Sequence, residues 1–311
     1  MIGARTIETR LLVAAVVLCG LACGGSRDAQ THDARPPLRD AKSLGRLHEP
    51  LLVEASGVVA STRVPNTFWS QNDSGNDPMV FAYDSTGAAL GKLQVTGAKN
   101  RDWEAIVIGP CADGTCLFIG DVGDNAGRRD QLTIWRIPEP LPTDTVTPIA
   151  EALRFRYEDG PHDVEAMWIG PDSSILLLTK RPLVNPAGQR RWSLVYRLPP
   201  SAWLAQGRAV ATLVDSIPLV PTPSNPKEWI TDASLSPPDS AGARQLAVRT
   251  YADVFIFDTD SRTGRPTALR QRCSLRLLRE EFGEGVTWLA DHRLLFVAEG
   301  RSAVLHTGRC P

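Results

Sequence analysis

Asp102-Trp-Glu-Ala-Ile-Val-Ile is one of five stretches in this chain built to a single plan. The others are Glu54-Ala-Ser-Gly-Val-Val-Ala, Asp163-Val-Glu-Ala-Met-Trp-Ile, Ile230-Thr-Asp-Ala-Ser-Leu-Ser and Phe282-Gly-Glu-Gly-Val-Thr-Trp. Each runs from a polar or acidic start through Ala or Gly into a short apolar run. A second run follows every time, at Thr67–Gln71, Cys116–Gly120, Ile175–Thr179, Gln245–Arg249 and Leu294–Ala298. A third comes next, at Met79–Tyr83, Leu132–Ile137, Ser193–Leu198, Val254–Phe257 and Ala303–His306. Fourth runs read at Gly91–Val95, Ala152–Tyr157, Ala211–Ile217 and Cys273–Leu278. Runs rich in β-branched and aromatic residues, bounded by Gly, Pro, Asp and Asn, are strands.

Four-stranded units repeated around a ring make a β-propeller. The expected fold is therefore all-β, a propeller of five blades. Six blades is the alternative, if one hides in the long third or fourth unit. The fifth unit stops after its third strand, at Cys310-Pro311, and Ser43–His48 has no unit of its own. That N-terminal segment is expected to complete the last blade, because closing the ring removes sheet edges that invite aggregation. The 24 prolines and 25 glycines agree with many turns and few long helices. One short helix is expected between Pro199 and Gly207.

The chain begins like an export signal. Arg5 and Arg10 precede the apolar run Leu11–Leu18, which is followed by small residues. This run is too short to span a bilayer and has the layout of a cleaved leader, residues 1–22. Gly20-Leu21-Ala22-Cys23 resembles a lipobox, so Cys23 is the expected site of lipidation and of membrane attachment. Plain cleavage near Ala22 is the alternative. Residues 24–42 are polar and carry almost no large apolar side chains, which makes 23–42 an anchor plus flexible tether. Residues 43–311 then form one propeller domain, expected as a monomer. Four cysteines remain outside the leader. Cys111 and Cys116 bracket a tight-turn sequence and are expected to pair, leaving Cys273 with Cys310, as suits an oxidising compartment. A net charge of −1 gives no basic footprint for nucleic acid.

Aligning the five phrases on Ala or Gly puts Ser56, Glu104, Glu165, Asp232 and Glu284 at one level. In a propeller those positions face one another across the central channel. Four carboxylates around a narrow channel are costly without a positive charge between them. A hard divalent ion with oxygen ligands answers this, and calcium takes 6–8 such ligands. Asp73, Asp121, Asp124 and Glu299 follow or end second strands and add acid near the same mouth, although Asn72-Asp73-Ser74-Gly75 and Gly123-Asp124-Asn125 are also good turns. Lys180, Arg181 and Arg249 end other second strands. Bordering the same mouth, they would hold a phosphate. No Gly-x-Ser-x-Gly elbow, no His-Glu-x-x-His zinc motif and no phosphate-cradling glycine loop occurs.

Asp102-Trp-Glu-Ala-Ile followed by Leu117-Phe-Ile-Gly-Asp-Val-Gly-Asp-Asn, and Glu284-Gly-Val followed by Leu295-Phe-Val-Ala-Glu, resemble propellers of the phytase-like group. The ring of Ser and acids over five units also resembles the five-bladed calcium-activated nucleotidases, or apyrases. The resemblance implies calcium held by Ser56, Glu104, Glu165, Asp232 and Glu284. Two functions are then open. One is an envelope lipoprotein, on the periplasmic or outer-surface side, that binds a protein, glycan or phosphorylated ligand. The other is a calcium-dependent hydrolase of phosphate esters or anhydrides, in which the metal polarises phosphoryl oxygens. No full set of substrate-binding cations and no distinct water-activating carboxylate can be matched to that second reading.

Overall fold

The computed structural model describes residues 35–112, 114–181, 192–219, 221 and 224–311. The leader, Cys23 and the tether up to residue 34 lie outside the described residues. Arg35–Pro311 forms one compact unit.

Strand β1 (Arg39–Arg46) comes first. Unit one holds β2 (Val59–Ala60), β3 (Thr67–Gln71), β4 (Met79–Asp84) and β5 (Ala89–Gln94). Unit two holds β6 (Trp103–Cys111), β7 (Gly114–Asp121), β8 (Leu132–Pro138) and β9 (Glu151–Tyr157). Unit three holds β10 (Val164–Ile169), β11 (Ile175–Thr179), β12 (Ser193–Leu198) and β13 (Ala209–Ile217). Unit four holds β14 (Ile230–Leu235), β15 (Gln245–Thr250), β16 (Asp253–Thr259) and β17 (Pro266–Ser274). Unit five holds β18 (Gly283–Trp288), β19 (Leu294–Ala298) and β20 (Val304–Arg309), and β1 pairs antiparallel with β20 as its fourth strand. Within each unit the strands meander in antiparallel order. The first strands touch in the sequence β2, β6, β10, β14, β18 and back to β2, so the ring is closed. Every strand among the described residues belongs to one of these five units.

Successive side chains on a strand point to opposite faces. Here both faces are covered, one by the preceding unit and one by the next. Ile175 and Leu177 enter the core shared with unit two, while Leu176 and Leu178 enter the core shared with unit four. Three more cores fill the remaining junctions: one between units one and two, one between four and five, and one between five and one. This explains why second strands read as unbroken apolar runs rather than as alternating ones. A fully buried Leu or Phe contributes about 1.5–3 kcal/mol, so the five junctions are the main source of stability.

Both expected disulfides are formed. Cys111–Cys116 clasps the hairpin of β6 and β7, and Cys273–Cys310 ties β17 to the residue after β20. Four details differ from the sequence reading. The closing strand starts at Arg39 rather than Ser43, because Leu38 is buried and the Ser274 amide donates to the Pro36 carbonyl at 2.9 Å. The fourth strand of unit four is Pro266–Ser274, not Cys273–Leu278. Leu275 and Leu278 are buried core residues on the connection that follows it. The expected helix is a single 3-10 turn, Pro200–Leu204. Finally, β9 and β13 pair in parallel (Ala209 opposite Phe155), which fuses the outer edges of units two and three into one eight-stranded sheet.

Candidate functional site

The first strand of a unit meets the second with a bulge, and the bulge sits at the residue the phrases single out. The register steps from Trp103 to Ala105, from Val164 to Ala166 and from Gly283 to Gly285. Glu104, Glu165 and Glu284 are the residues skipped. A bulge frees a side chain from strand alternation and re-aims it, here at the entrance of the channel. All five aligned residues are at most 4 % exposed. Farther along the same strands Ile106, Ile108, Trp168 and Leu235, with Ser234 and Arg244, help line a cavity of about 120 Å³.

Glu104 is the hub. Ser56 Oγ donates to its Oε2 at 2.9 Å. One carboxylate oxygen each from Glu104, Asp73 and Asp102 lies within 4.8 Å of the others. Asp73 is held from behind, since its backbone amide donates to the Glu54 carbonyl at 2.9 Å and its carbonyl accepts Asn100 Nδ2 at 2.8 Å. Asp102 precedes Trp103, whose indole donates to the Lys99 carbonyl at 3.0 Å and fixes the turn into β6. Gly123 closes one wall. A Cβ there would come within 2.5 Å of Glu104 Oε1 and 2.6 Å of the Asp102 carboxylate.

The other half of the entrance is organised by Lys180. Its Nζ lies 2.5 Å from Glu165 Oε1 and 5.6 Å from the ring centre of Trp229. Its backbone is pinned at both ends, with its N–H donating to the Asp163 carbonyl and its carbonyl accepting the Ile230 amide. Tyr251 donates its hydroxyl to Glu284 Oε1 at 2.6 Å, while Glu284 Oε2 is buried without a hydrogen-bond partner.

Burial and mutual repulsion disfavour charge on these acids. Burial, with Glu165 and Asp73 nearby, pushes Glu104 well above the usual carboxylate range. Burial also lifts Asp102 to about 6, Glu299 to about 7 and Glu165 to about 8, each with neighbouring carboxylates adding to the rise. Burial works against charge on Lys180 too, but Glu165, Asp163 and Glu104 outweigh it and hold the amine above its ordinary value. Lys180 is thus set against Asp73, Glu104, Glu165, Glu284 and Glu299, while Asp102 has Arg129 as its nearby cation. Such a surplus of oxygen acceptors fits a hard cation.

Three of the residues picked from sequence do other work. In unit four the bulged residue is Thr231, not Asp232. The Asp232 oxygens accept the amides of Ala233 and Val286, each at 2.8 Å, so this carboxylate clasps unit four to unit five and lies outside the Asp73–Asp102–Glu104 trio. Arg249 is fully buried. It donates to the carbonyls of Gly285 at 2.6 Å and Val297 at 2.9 Å and pairs with Glu280, an inter-unit brace rather than a phosphate ligand. Arg181 donates to the Asn125 carbonyl at 3.1 Å and lies over Trp229. Of the three basic residues only Lys180 joins the acids. Asp102 and Tyr251 were not marked by the phrase alignment. Asp102 carries one signal, since Glu54, Asp102 and Asp163 all stand two residues ahead of an aligned position.

No protein-family model matches the sequence, and no curated protein does. Among solved structures the chain is similar to the soluble aldose sugar dehydrogenase of Escherichia coli, with a TM-score of 0.50, 10 % identity, and coverage of 86 % of this chain and 98 % of that one. A glucose dehydrogenase aligns with a TM-score of 0.48 at 10 % identity over 86 % and 98 % of the two chains. A luciferin-regenerating enzyme gives 0.47 at 9 % identity over 86 % and 94 %. At 10 % identity the likeness to the aldose sugar dehydrogenase speaks for the β-propeller fold alone, and fold does not carry chemistry with it.

Proposed function

We propose that this chain is an exported β-propeller that binds calcium at the channel entrance and acts as a binding or scaffold module of the cell envelope, attached to the membrane through a lipid on Cys23. The observation that carries the metal reading is the trio Asp73, Asp102 and Glu104, whose oxygens already converge within 4.8 Å. Three carboxylates, with waters to complete the shell, match calcium in hardness and flexibility of geometry. Ser56 orients Glu104. Glu165 and Glu284 add negative potential from the other side. The phrases shared with phytase-like propellers support the same ion. Two disulfides suit an oxidising compartment, in keeping with the leader. The phosphohydrolase alternative loses its main support, because Arg249 is spent inside the fold and Lys180 is paired with Glu165.

The test is metal analysis of the purified chain, with thermal melts in calcium and in chelator. Calcium is expected to bind and to raise the melting temperature, and Asp73→Asn with Glu104→Gln to abolish that rise. A melt indifferent to calcium, with no bound ion, rejects the metal site. Turnover of a phosphate ester by the calcium-loaded protein would replace the binding reading with the hydrolase.

A further inference from the structure

We infer that Lys180 is a built-in cation that fills the second half of the acidic entrance and limits it to one divalent ion. This rests on the reading of Asp73, Asp102 and Glu104 as the calcium site. Beside the trio the entrance holds Glu165 and Glu284, which lie outside it and near enough that the charge of Glu284 disfavours charge on Glu165. Lys180 Nζ makes its close ion pair with Glu165, at 2.5 Å from Oε1, and its charge also reaches Glu284, Glu104 and Asp73. Lys180 is 8 % exposed, and its backbone is tied to both Asp163 and Ile230, so the ammonium is delivered to one place rather than swinging in solvent.

The acids around it have unspent capacity. Glu284 Oε2 is buried and partnerless, and Glu165 Oε1 has no hydrogen bond of good geometry despite its close ion pair. Ser56, the one aligned position without a charge, lies in unit one and donates to the trio's Glu104. The two halves are therefore not equivalent: one is arranged for an added ion and the other carries its own. A lysine ammonium is monovalent and cannot leave, so it neutralises Glu165 at every calcium concentration. Removing it should expose a second cation site built from Glu165 and Glu284.

The experiment compares the purified chain with Lys180→Met, counting calcium per chain by elemental analysis and isothermal titration, with melts in parallel. One ion per wild-type chain and two per variant are expected, with a larger calcium-dependent rise in melting temperature for the variant. Lys180→Gln, which keeps a donor toward Glu165, should also take two ions and serves if the Met variant does not fold. Lys180→Met combined with Glu165→Gln should return to one. One ion in both wild type and Lys180→Met overturns this inference but leaves the trio intact, and two ions in wild type overturn it as well. No ion in wild type but one in the variant rejects the trio and keeps the role of Lys180. No ion in either rejects both.

Discussion

Replacing Arg249 with Met should unfold the protein about as readily as opening a core, although the sequence marks this residue as a surface ligand. The guanidinium is enclosed among Gly285, Val297, Glu280 and the ring of Phe296. Met keeps the apolar stem and removes every donor. Glu280 is then left as a buried carboxylate without its partner, and breaking one side of a buried pair costs about 3–5 kcal/mol. The carbonyls of Gly285 and Val297 also lose a donor, so the upper half of that range is expected. At roughly 2–4 °C per kcal/mol for a domain of this order, the melting temperature should fall by about 10 °C. A second perturbation tests the mechanism. A Cβ at Gly283 would fall within the Arg249 guanidinium, so Gly283→Ala evicts the same group from the other side. Both singles should cost about 4 kcal/mol, and the double should cost little more than either, a coupling of about 3 kcal/mol. Urea melts of the four proteins in chelator give the cycle. A loss under 1 kcal/mol for Arg249→Met, or additive costs for the pair, would refute the brace.

Other outcomes follow from the same geometry. Glu299 and Asp102 hold their protons to about 7 and about 6 when folded, against an ordinary carboxylate range near 4 when unfolded. Between those limits the folded state binds more protons, so metal-free stability should fall as pH rises from about 4 to 7, and calcium should restore it at the upper end. Melts at stepped pH in chelator and in calcium check both signs. Asp232→Asn sets an amide against a backbone N–H and should cost about 1–3 kcal/mol while leaving the calcium-dependent rise unchanged. A lost calcium response would return Asp232 to the metal shell. Removing Cys273–Cys310, with a sequence separation of 37, should cost about 4 kcal/mol, and removing Cys111–Cys116, with a separation of 5, about 2. Cys-to-Ser pairs in urea melts give the two values.

Much of the fold was legible because burial on both faces leaves a plain trace. Ile175–Thr179 begins where its apolar run does and ends one residue past it. The outer strands were harder. Pro266–Ser274 carries Arg270, Gln271 and Arg272 on an exposed edge, so its composition resembles a loop, while the buried Leu275 and Leu278 drew the strand boundary too far along. The contact of β9 with β13 had no signal, since parallel pairing between distant edges leaves no local pattern. At the entrance, Glu104, Glu165 and Glu284 were found because a bulge recurs at the same place in three units. Asp232 was misplaced by one residue because unit four puts its bulge at Thr231. Arg249 looked like a ligand because a strand-end arginine gives no hint, in one dimension, of the carbonyls that will enclose it.

The pairing of β1 with β20 sets an order of assembly. The earliest described strand to leave the ribosome waits for the last described one, and that partner has to be made before the ring can shut. Until then unit five has an open edge and the junctions on either side of it are incomplete. A chain shortened by its final strand therefore loses more than one strand's worth of contacts: it loses the circle. Loss of the strand β20 should act as an all-or-none switch, leaving an unclosed form open to proteases, while a cut in an outer loop such as the turn between β16 and β17 leaves a nicked but intact ring.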